Sequence, residues 1–422
     1  MNTPTHQPSK SGIEVADILR LYAKPYQLRH RLPTKTQKMI WELCHCRTAA
    51  MGGHEARCSA CSFKRNEYNS CRNRHCPKCQ SLKKAKWLEA RKAELLPVDT
   101  LHMVFTLPHE LNPLMLYNKS VLLNGLFQVV NQTLTAFAKD PRWGLEGQLG
   151  FIAILHTWDQ RLNLHYHLHC LIPAGALSSD KNRWKHARRS RCRKTGRLKA
   201  YLFPVRAVSK VFKGKFLNLL KQAYEDSRLV FPKTHSHLKS KRAFAAFCSE
   251  CQSKDWVVYS KAPFKGPEYL LEYLGRYVHR VAISNDRINS LKKGRVTFFY
   301  KDRSDGFQRK KISLSAEQFI GRFLLHELPL GFRKIRFFGF YANRDRSKNL
   351  NRIRYLLHSR RNTKPQKKSG LELICALMGR DITLCPECRR GKLERRILLE
   401  PIKKFRDDFR GYPSIFSRSL RE

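Results

Sequence analysis

FIAILHTWDQRLNLHYHLHCLI, residues 151–172, is the stretch on which the fold turns. Two strand-like runs, FIAILHTW and HYHLHCLI, flank the short and mostly polar segment DQRLNL, which is the pattern of a β-hairpin. Side chains alternate along a strand, so His165, His167 and His169 point to one face while Tyr166, Leu168, Cys170 and then Ile172 point to the other. The second set reads as core. With the chain reversing through Asp159 to Leu164, His156 falls opposite His167 on the histidine face. Neutral imidazoles bind divalent transition metals well, and three of them with open positions make a catalytic rather than a closed site. The plainer alternative is a solvent-facing polar strand. Histidines crowded on one face of so basic a chain favour the metal.

Working outward, LHMVFTLP at 101–108 has strand-like residues ended by proline, and Leu114 to Phe137 and Val211 to Tyr224 carry helical patterns. DWVVYSKAPF, RVTFFYKD and KKISLS read as further strands, with a helix over EYLLEYLGRYVHRVA. IEVADILRLYA and TKTQKMIWELCHC are helical near the start, and QSLKKAKWLEARKAELL, with neither Gly nor Pro, is a third helix. This mixture is an α+β chain. Lys181 to Arg197 holds 9 basic residues in 17 and no acid, and reads as a solvated loop or ribbon. No internal repeat is visible.

The chain has 422 residues, enough for more than one module, and 83 lysines and arginines against 33 acids give a net charge of +50. Such an imbalance implies a polyanionic partner, and nucleic acid releases counterions when it meets a basic surface. A membrane partner is disfavoured because no apolar stretch spans a bilayer: Leu111 to Leu134 is interrupted by Asn112, Pro113, Asn118, Lys119 and Asn124. MNTPTHQPSKSG lacks an apolar signal segment, so a cytoplasmic, nucleoid-associated protein with reduced thiols is expected. Its 14 cysteines are then metal ligands and small buried hydrophobes.

Cys58-Ser-Ala-Cys61 and Cys76-Pro-Lys-Cys79 form two knuckles separated by 14 residues, a spacing that suits one tetrahedral, structural Zn²⁺. Cys71, His75 and His54 are further possible ligands in this dense stretch. Cys248/Cys251 and Cys385/Cys388 each supply only half a set, and could complete one another across space.

GPEYLLEYLGRYVHRVAISN places Tyr269, Tyr273 and Tyr277 at i, i+4 and i+8, one face of a helix. An aromatic core stripe is the usual meaning of that spacing. Here Arg276, His279 and Arg280 surround it with cations that suit a phosphate and would stabilise a phenolate, which a tyrosine of ordinary pKa about 10 needs in order to act as a nucleophile. A histidine-held metal beside paired tyrosines points to phosphoryl transfer through a covalent tyrosine intermediate.

The order of the FTLP strand, His167-Leu168-His169 and YLGRYVHR resembles the HUH endonuclease superfamily. With CRNRHCPKC in front, the chain is similar to the insertion sequence 91 family of rolling-circle transposases. The resemblance covers nearly the whole chain. It implies a small helical zinc-binding, DNA-binding domain over 13–96 and an HUH nuclease domain over 101–341; composition makes 1–12 a polar, disordered lead and 342–422 a basic C-terminal region. It implies a central antiparallel sheet flanked by helices. It places the HUH histidines on His167 and His169 and the nucleophiles on Tyr273 and Tyr277; His156 is the third ligand chosen from the hairpin, with His165 behind it. A catalytic Mg²⁺ or Mn²⁺, single-stranded DNA and transposon ends as substrates, and a 5′-phosphotyrosine intermediate follow from the same resemblance. Arg276, Arg280, Arg188 and Trp184, with the aromatics of RKIRFFGFYANR, are candidate DNA contacts, since single-strand sites combine cations with stacking rings. A non-catalytic zinc-containing DNA-binding protein is the competing expectation. A histidine-metal hydrolase without a protein nucleophile is another.

Overall fold

The computed structural model describes residues 12–191, 196, 198–261, 275, 282–302, 304–359, 368–402 and 405. They fall into two compact units. One draws on Trp87–Val278 and Leu325–Gln366, the other on Met1–Lys86, His279–Leu324 and Lys367–Glu422. The architecture is α+β, and every strand pairing among the described residues is antiparallel.

The Trp87–Val278 unit is organised by a five-stranded sheet in the order Val258–Lys261, Thr100–Thr106, Leu164–Pro173, Gly150–Trp158, Ile335–Gly339. Two of its three inner strands are the histidine hairpin. Asp159 fixes the reversal: its carboxylate accepts from the backbone N–H of Arg161 and of Asn163, both at 2.8 Å, and from the Asn163 side chain at 2.9 Å. Leu162 takes the left-handed conformation in that turn, at φ +65°, and is fully buried beneath it.

One face of the sheet carries Phe105, Phe151, Tyr166, Leu168, Cys170 and Ile172 into the main core. The helices Lys119–Lys139, Val205–Glu225 and Lys241–Ser253 contribute to that core. In the first, Leu122, Leu126, Val129, Val130, Thr133 and Phe137 recur every three or four residues, so a single stripe is buried. Gly125 faces the Leu219 side chain so closely that a Cβ there would lie 2.7 Å from its Cδ2. The opposite face buries Ile152, Ile154 and Leu171 beneath Trp87, Leu88 and Leu95, with Ile335 and Phe337 on the edge strand. This second face also bears the histidines.

The other unit contains the helices Val15–Arg29 and Thr34–His45 and two three-stranded sheets. One sheet runs Ile288–Lys292, Arg295–Asp302, Gln308–Ser315. The second places Gly53–Cys58 between Lys64–Tyr68 and Leu393–Leu399, so its third strand comes from the far end of the sequence. The cysteine-bearing region is therefore mixed, helices and sheet together, rather than helical.

Residues 181–197 were expected to be a solvated loop or mobile ribbon. Among its described residues the stretch forms the strands Trp184–His186 and Arg188–Arg191, the latter paired with Leu198–Tyr201 as an exposed ribbon. All four residues of Arg188–Arg191 are exposed, so no apolar alternation marks the strand in the sequence.

Candidate functional site

His156 and His167 are direct partners in the hairpin register, and His169 stands opposite Ile154. One ring nitrogen of each of His156, His167 and His169 lies within 4.8 Å of the others. The His156 ring is 5.2 Å from that of His167 and 4.3 Å from that of His169. His156 and His167 are buried and His169 is half-buried. The His165 carbonyl accepts a 2.8 Å hydrogen bond from Nδ1 of His167, which leaves Nε2 of His167 with its lone pair. His165 lies outside the cluster, with its ring 4.7 Å from His167 and 5.5 Å from His109.

A fourth histidine, not singled out in the sequence, supports the three. His102, two residues before Val104 in the neighbouring strand, stacks on His169 at 5.0 Å, and its Nε2 lies 2.7 Å from His169 Nδ1. Burial pushes the His102 imidazole down to about 4, with the Lys261 ammonium acting in the same direction. The signal was present in the sequence, since His102 alternates with the core residues Leu101 and Met103, but it lies 65 residues from the motif. Tyr166 is no rival nucleophile: it points into the core on the other face, and burial raises its hydroxyl well above the usual range.

Tyr273, Tyr277, Arg276 and Arg280, with Tyr269 and His279, lie outside the described residues. Gly275, the middle of YLGRY, is described. It is helical and buried, and a Cβ on it would stand 2.6 Å from Leu88 Cδ2. Leu88 in turn packs on Ile152, Ile154 and Leu171, the apolar continuation of the histidine face.

Of the expected DNA contacts, Arg188 is exposed. Trp184 is not a free stacking platform: its ring meets Phe340 edge-on at 5.8 Å and crowds the α-carbon of Gly175. The aromatics of RKIRFFGFYANR are also core. Phe338 packs on the main cluster, while Phe340 and Tyr341 are buried with Leu96, Leu177, Leu350 and Ile353.

The two knuckles expected to share one zinc are divided between two clusters. Cys76 and Cys79 join Cys46 and Cys71, whereas Cys58 and Cys61 join Cys385 and Cys388. The reason is local. Cys58 ends a strand whose neighbour is Leu393–Leu399, so the nearest second knuckle in space is the tail's, 330 residues away in sequence. Cys46 follows the helix Thr34–His45 and its Sγ stands 3.4 Å from that of Cys79, which is 3.6 Å from that of Cys71. Hydrogen bonds from Cys71 and then Cys76 bring the Cys46 thiol down to about 7, the condition of a thiol ready to ligate. The backbone N–H groups of Gly391 and Arg390 bring Cys388 to about 6. His75 accompanies Asn73 and His54 lies on a strand, both outside the clusters. Cys248 and Cys251 are buried in the main core of the other unit, where burial raises Cys251 to about 12, and they complete no set with the tail knuckle.

The family described as "Transposase zinc-binding domain" matches residues 18–107, and the one described as "Putative transposase" matches residues 150–349. "Putative transposase y4qJ" from Sinorhizobium fredii (strain NBRC 101917 / NGR234) is 40% identical over 389 residues, covering 91% of this chain and 95% of the relative. The chain belongs to the insertion sequence 91 family of transposases. A second relative of this transposase, "Transposase for insertion sequence element IS801" from Pseudomonas savastanoi pv. phaseolicola, is 29% identical over 309 residues, 72% of this chain and 70% of its own. No solved structure matches the transposase. It acts on DNA, its N-terminal part is a zinc-binding domain, and four thiols in tetrahedral proximity are a donor set that Zn²⁺ satisfies. Among the described residues no helix is long and apolar enough to cross a membrane.

Proposed function

We propose that this transposase cleaves and rejoins single-stranded DNA at the ends of an insertion sequence, through a 5′-phosphotyrosine intermediate, in rolling-circle transposition. The observation that carries the reading is the convergence of His156, His167 and His169 on one sheet face, with Gly275 of YLGRY packed on Leu88 above the same face. In this reading the nuclease lies within residues 101–341, the zinc-held DNA-binding part within 13–96, and 342–422 is a basic region. The protein then works on nucleoid DNA in the cytoplasm.

In this reading His156, His167 and His169 would hold a divalent cation, which would supply Lewis acidity at the scissile phosphate. An all-imidazole set is softer than Mg²⁺ prefers, so Mn²⁺ is the better fit of the two. His169 donates its Nδ1–H to His102, an arrangement that fixes ring orientation at metal sites. Arg276 and Arg280, close to both tyrosines in sequence, would supply cations to the phosphate and to a phenolate of Tyr273 or Tyr277. A tyrosine oxygen attacks phosphorus in line and gives up its proton. The bond to the 3′ oxygen breaks, that oxygen takes a proton, and the 5′ side of the strand stays on the tyrosine. The bond energy is retained, so a 3′-hydroxyl from another strand can reverse the step without ATP. Two tyrosines allow one end to be held while the other is cut.

The test is cleavage of single-stranded oligonucleotides spanning an element end, labelled at 5′ or 3′ and run on a denaturing gel with Mn²⁺ or Mg²⁺. The expected product is a free 3′-hydroxyl fragment and a protein-linked downstream fragment, lost in the Tyr273→Phe/Tyr277→Phe protein. Cleavage with no linked fragment would mean a hydrolase. Binding with neither would mean a non-catalytic DNA-binding protein.

A further inference from the structure

We propose that the knuckle Cys385–Cys388 completes a second tetrathiolate zinc site with Cys58 and Cys61, so that the C-terminal region is part of the zinc-binding head. This site is separate from Cys46, Cys71, Cys76 and Cys79, which all lie within the matched zinc-binding domain. Cys385 and Cys388 lie outside both matched ranges.

Four observations carry it. The first is distance. Cys58 Sγ stands 3.6 Å from Cys388 Sγ and Cys61 Sγ 3.7 Å from Cys385 Sγ, with all four sulfurs within 4.8 Å. Tetrahedral Zn–S bonds of about 2.3 Å place sulfurs about 3.8 Å apart. A disulfide would bring a pair to about 2.05 Å, and none of these cysteines is so bonded.

The second is the matched form of the two knuckles. Ala60 N–H points to Cys58 Sγ at 3.3 Å and Gly391 N–H to Cys388 Sγ at 3.3 Å. Such bonds stabilise a thiolate over a thiol. Arg389 adopts the left-handed conformation at φ +52°, the bend that turns the second knuckle back on itself.

The third is a close approach that admits only glycine. A Cβ on Gly391 would lie 2.4 Å from Cys58 Sγ and 2.8 Å from the Ala60 backbone nitrogen. The tail backbone thus passes against the first knuckle where any side chain would exclude it. The fourth is the strand that follows. Leu393–Leu399 pairs with Gly53–Cys58 from Cys58↔Leu393 to Gly53↔Leu399, and Ser59 N–H donates to the Lys392 carbonyl at 3.0 Å. Those bonds set the two knuckles face to face.

On binding, four thiols each lose a proton and the metal centre becomes doubly negative. Arg389, Arg390 and Lys392 follow the second knuckle directly and bring positive charge to that segment. The site cannot close before residue 388 has been synthesised. Head formation is thereby coupled to translation of the tail, and a copy truncated before Cys385 would keep one zinc and lose the other. None of this depends on the strand-transfer chemistry.

The test is cobalt replacement of zinc in the full chain, read by the thiolate-to-cobalt charge-transfer absorbance, which is blind to histidine-bound metal. The intact protein should show two tetrathiolate equivalents, and Cys385→Ser/Cys388→Ser should lose half of the band. Because the double variant could fail to fold, Cys385→His provides a second reading. It should keep both cobalt ions while losing one thiolate in eight, with the d–d bands of that site shifted to shorter wavelength. An intact protein with a single equivalent, or a spectrum unaltered by Cys385→His, overturns the proposal.

Discussion

Replacing His156 or His167 by Ala removes one of the three nitrogens that converge among the described residues. Cleavage of single-stranded DNA should fall by at least about 100-fold, while DNA binding measured at the same salt stays within about twofold. Loss of binding in parallel with cleavage would instead mark these histidines as structural. His102→Ala should act more mildly, weakening Mn²⁺ affinity by roughly 10- to 100-fold, with activity regained at high Mn²⁺. His326 shows a different consequence of burial. Its Nε2–H donates to the Leu162 carbonyl and its Nδ1 accepts from the Thr157 hydroxyl, both at 3.2 Å, and burial holds it down to about 4. Unfolded histidine titrates near about 6.5, so between these values the unfolded chain binds a proton that the folded chain refuses. Stability is full above that upper value and is lost as pH falls towards about 4. The loss at pH 5 is on the order of 2 kcal/mol, and denaturant titration of wild type against His326→Gln at pH 5 and pH 7.5 measures it. A wild-type midpoint that does not fall at pH 5 would contradict this assignment.

At the scale of elements, the hairpin was legible because one face alternates His-x-His-x-His against a buried face, and the Asp159 turn allows a single register. His156 opposite His167 follows from that register alone. The partition of the cysteines was not legible. Knuckle spacing specifies that two thiols act together, but not which pair a sheet will bring them to from 324 residues away. At Arg188–Arg191 basic composition allowed an exposed loop or ribbon, but the strand pairing itself was not legible, since a strand without a buried face leaves no period in the sequence. The edge strand Ile335–Gly339 offers a test of packing. Gly339 has φ +58°, and a Cβ there would coincide with the Leu149 carbonyl oxygen at 1.5 Å. Gly339→Ala should cost at least about 3 kcal/mol and lower the melting temperature by roughly 10 °C, as calorimetry would show. Gly275→Leu should depress cleavage, because a side chain there meets the Leu88 side chain that packs over the histidine face.

Over the whole molecule, a charge of +50 sets the terms of DNA binding. If about 6–10 phosphates are neutralised, affinity for a single strand should fall by roughly 10²- to 10⁴-fold between 50 and 200 mM salt. Binding that varies little over that range would mean the basic surface serves another purpose. Charge, paired knuckles and the order of the histidine and tyrosine motifs made the family legible before the fold was known. The interleaving of Met1–Lys86 with His279–Leu324 and Lys367–Glu422 was not, because it rests on contacts between segments hundreds of residues apart. In the proposed reaction a tyrosine of YLGRY takes the DNA. Trypsin separates Gly266–Arg276, which holds Tyr269 and Tyr273, from Tyr277–Arg280. Mass spectrometry of the cleaved complex after nuclease trimming should therefore find a nucleotide on Tyr273 or Tyr277 and none on Tyr269. A nucleotide on any other residue, or on no residue of a preparation that has cut its DNA, would contradict the account.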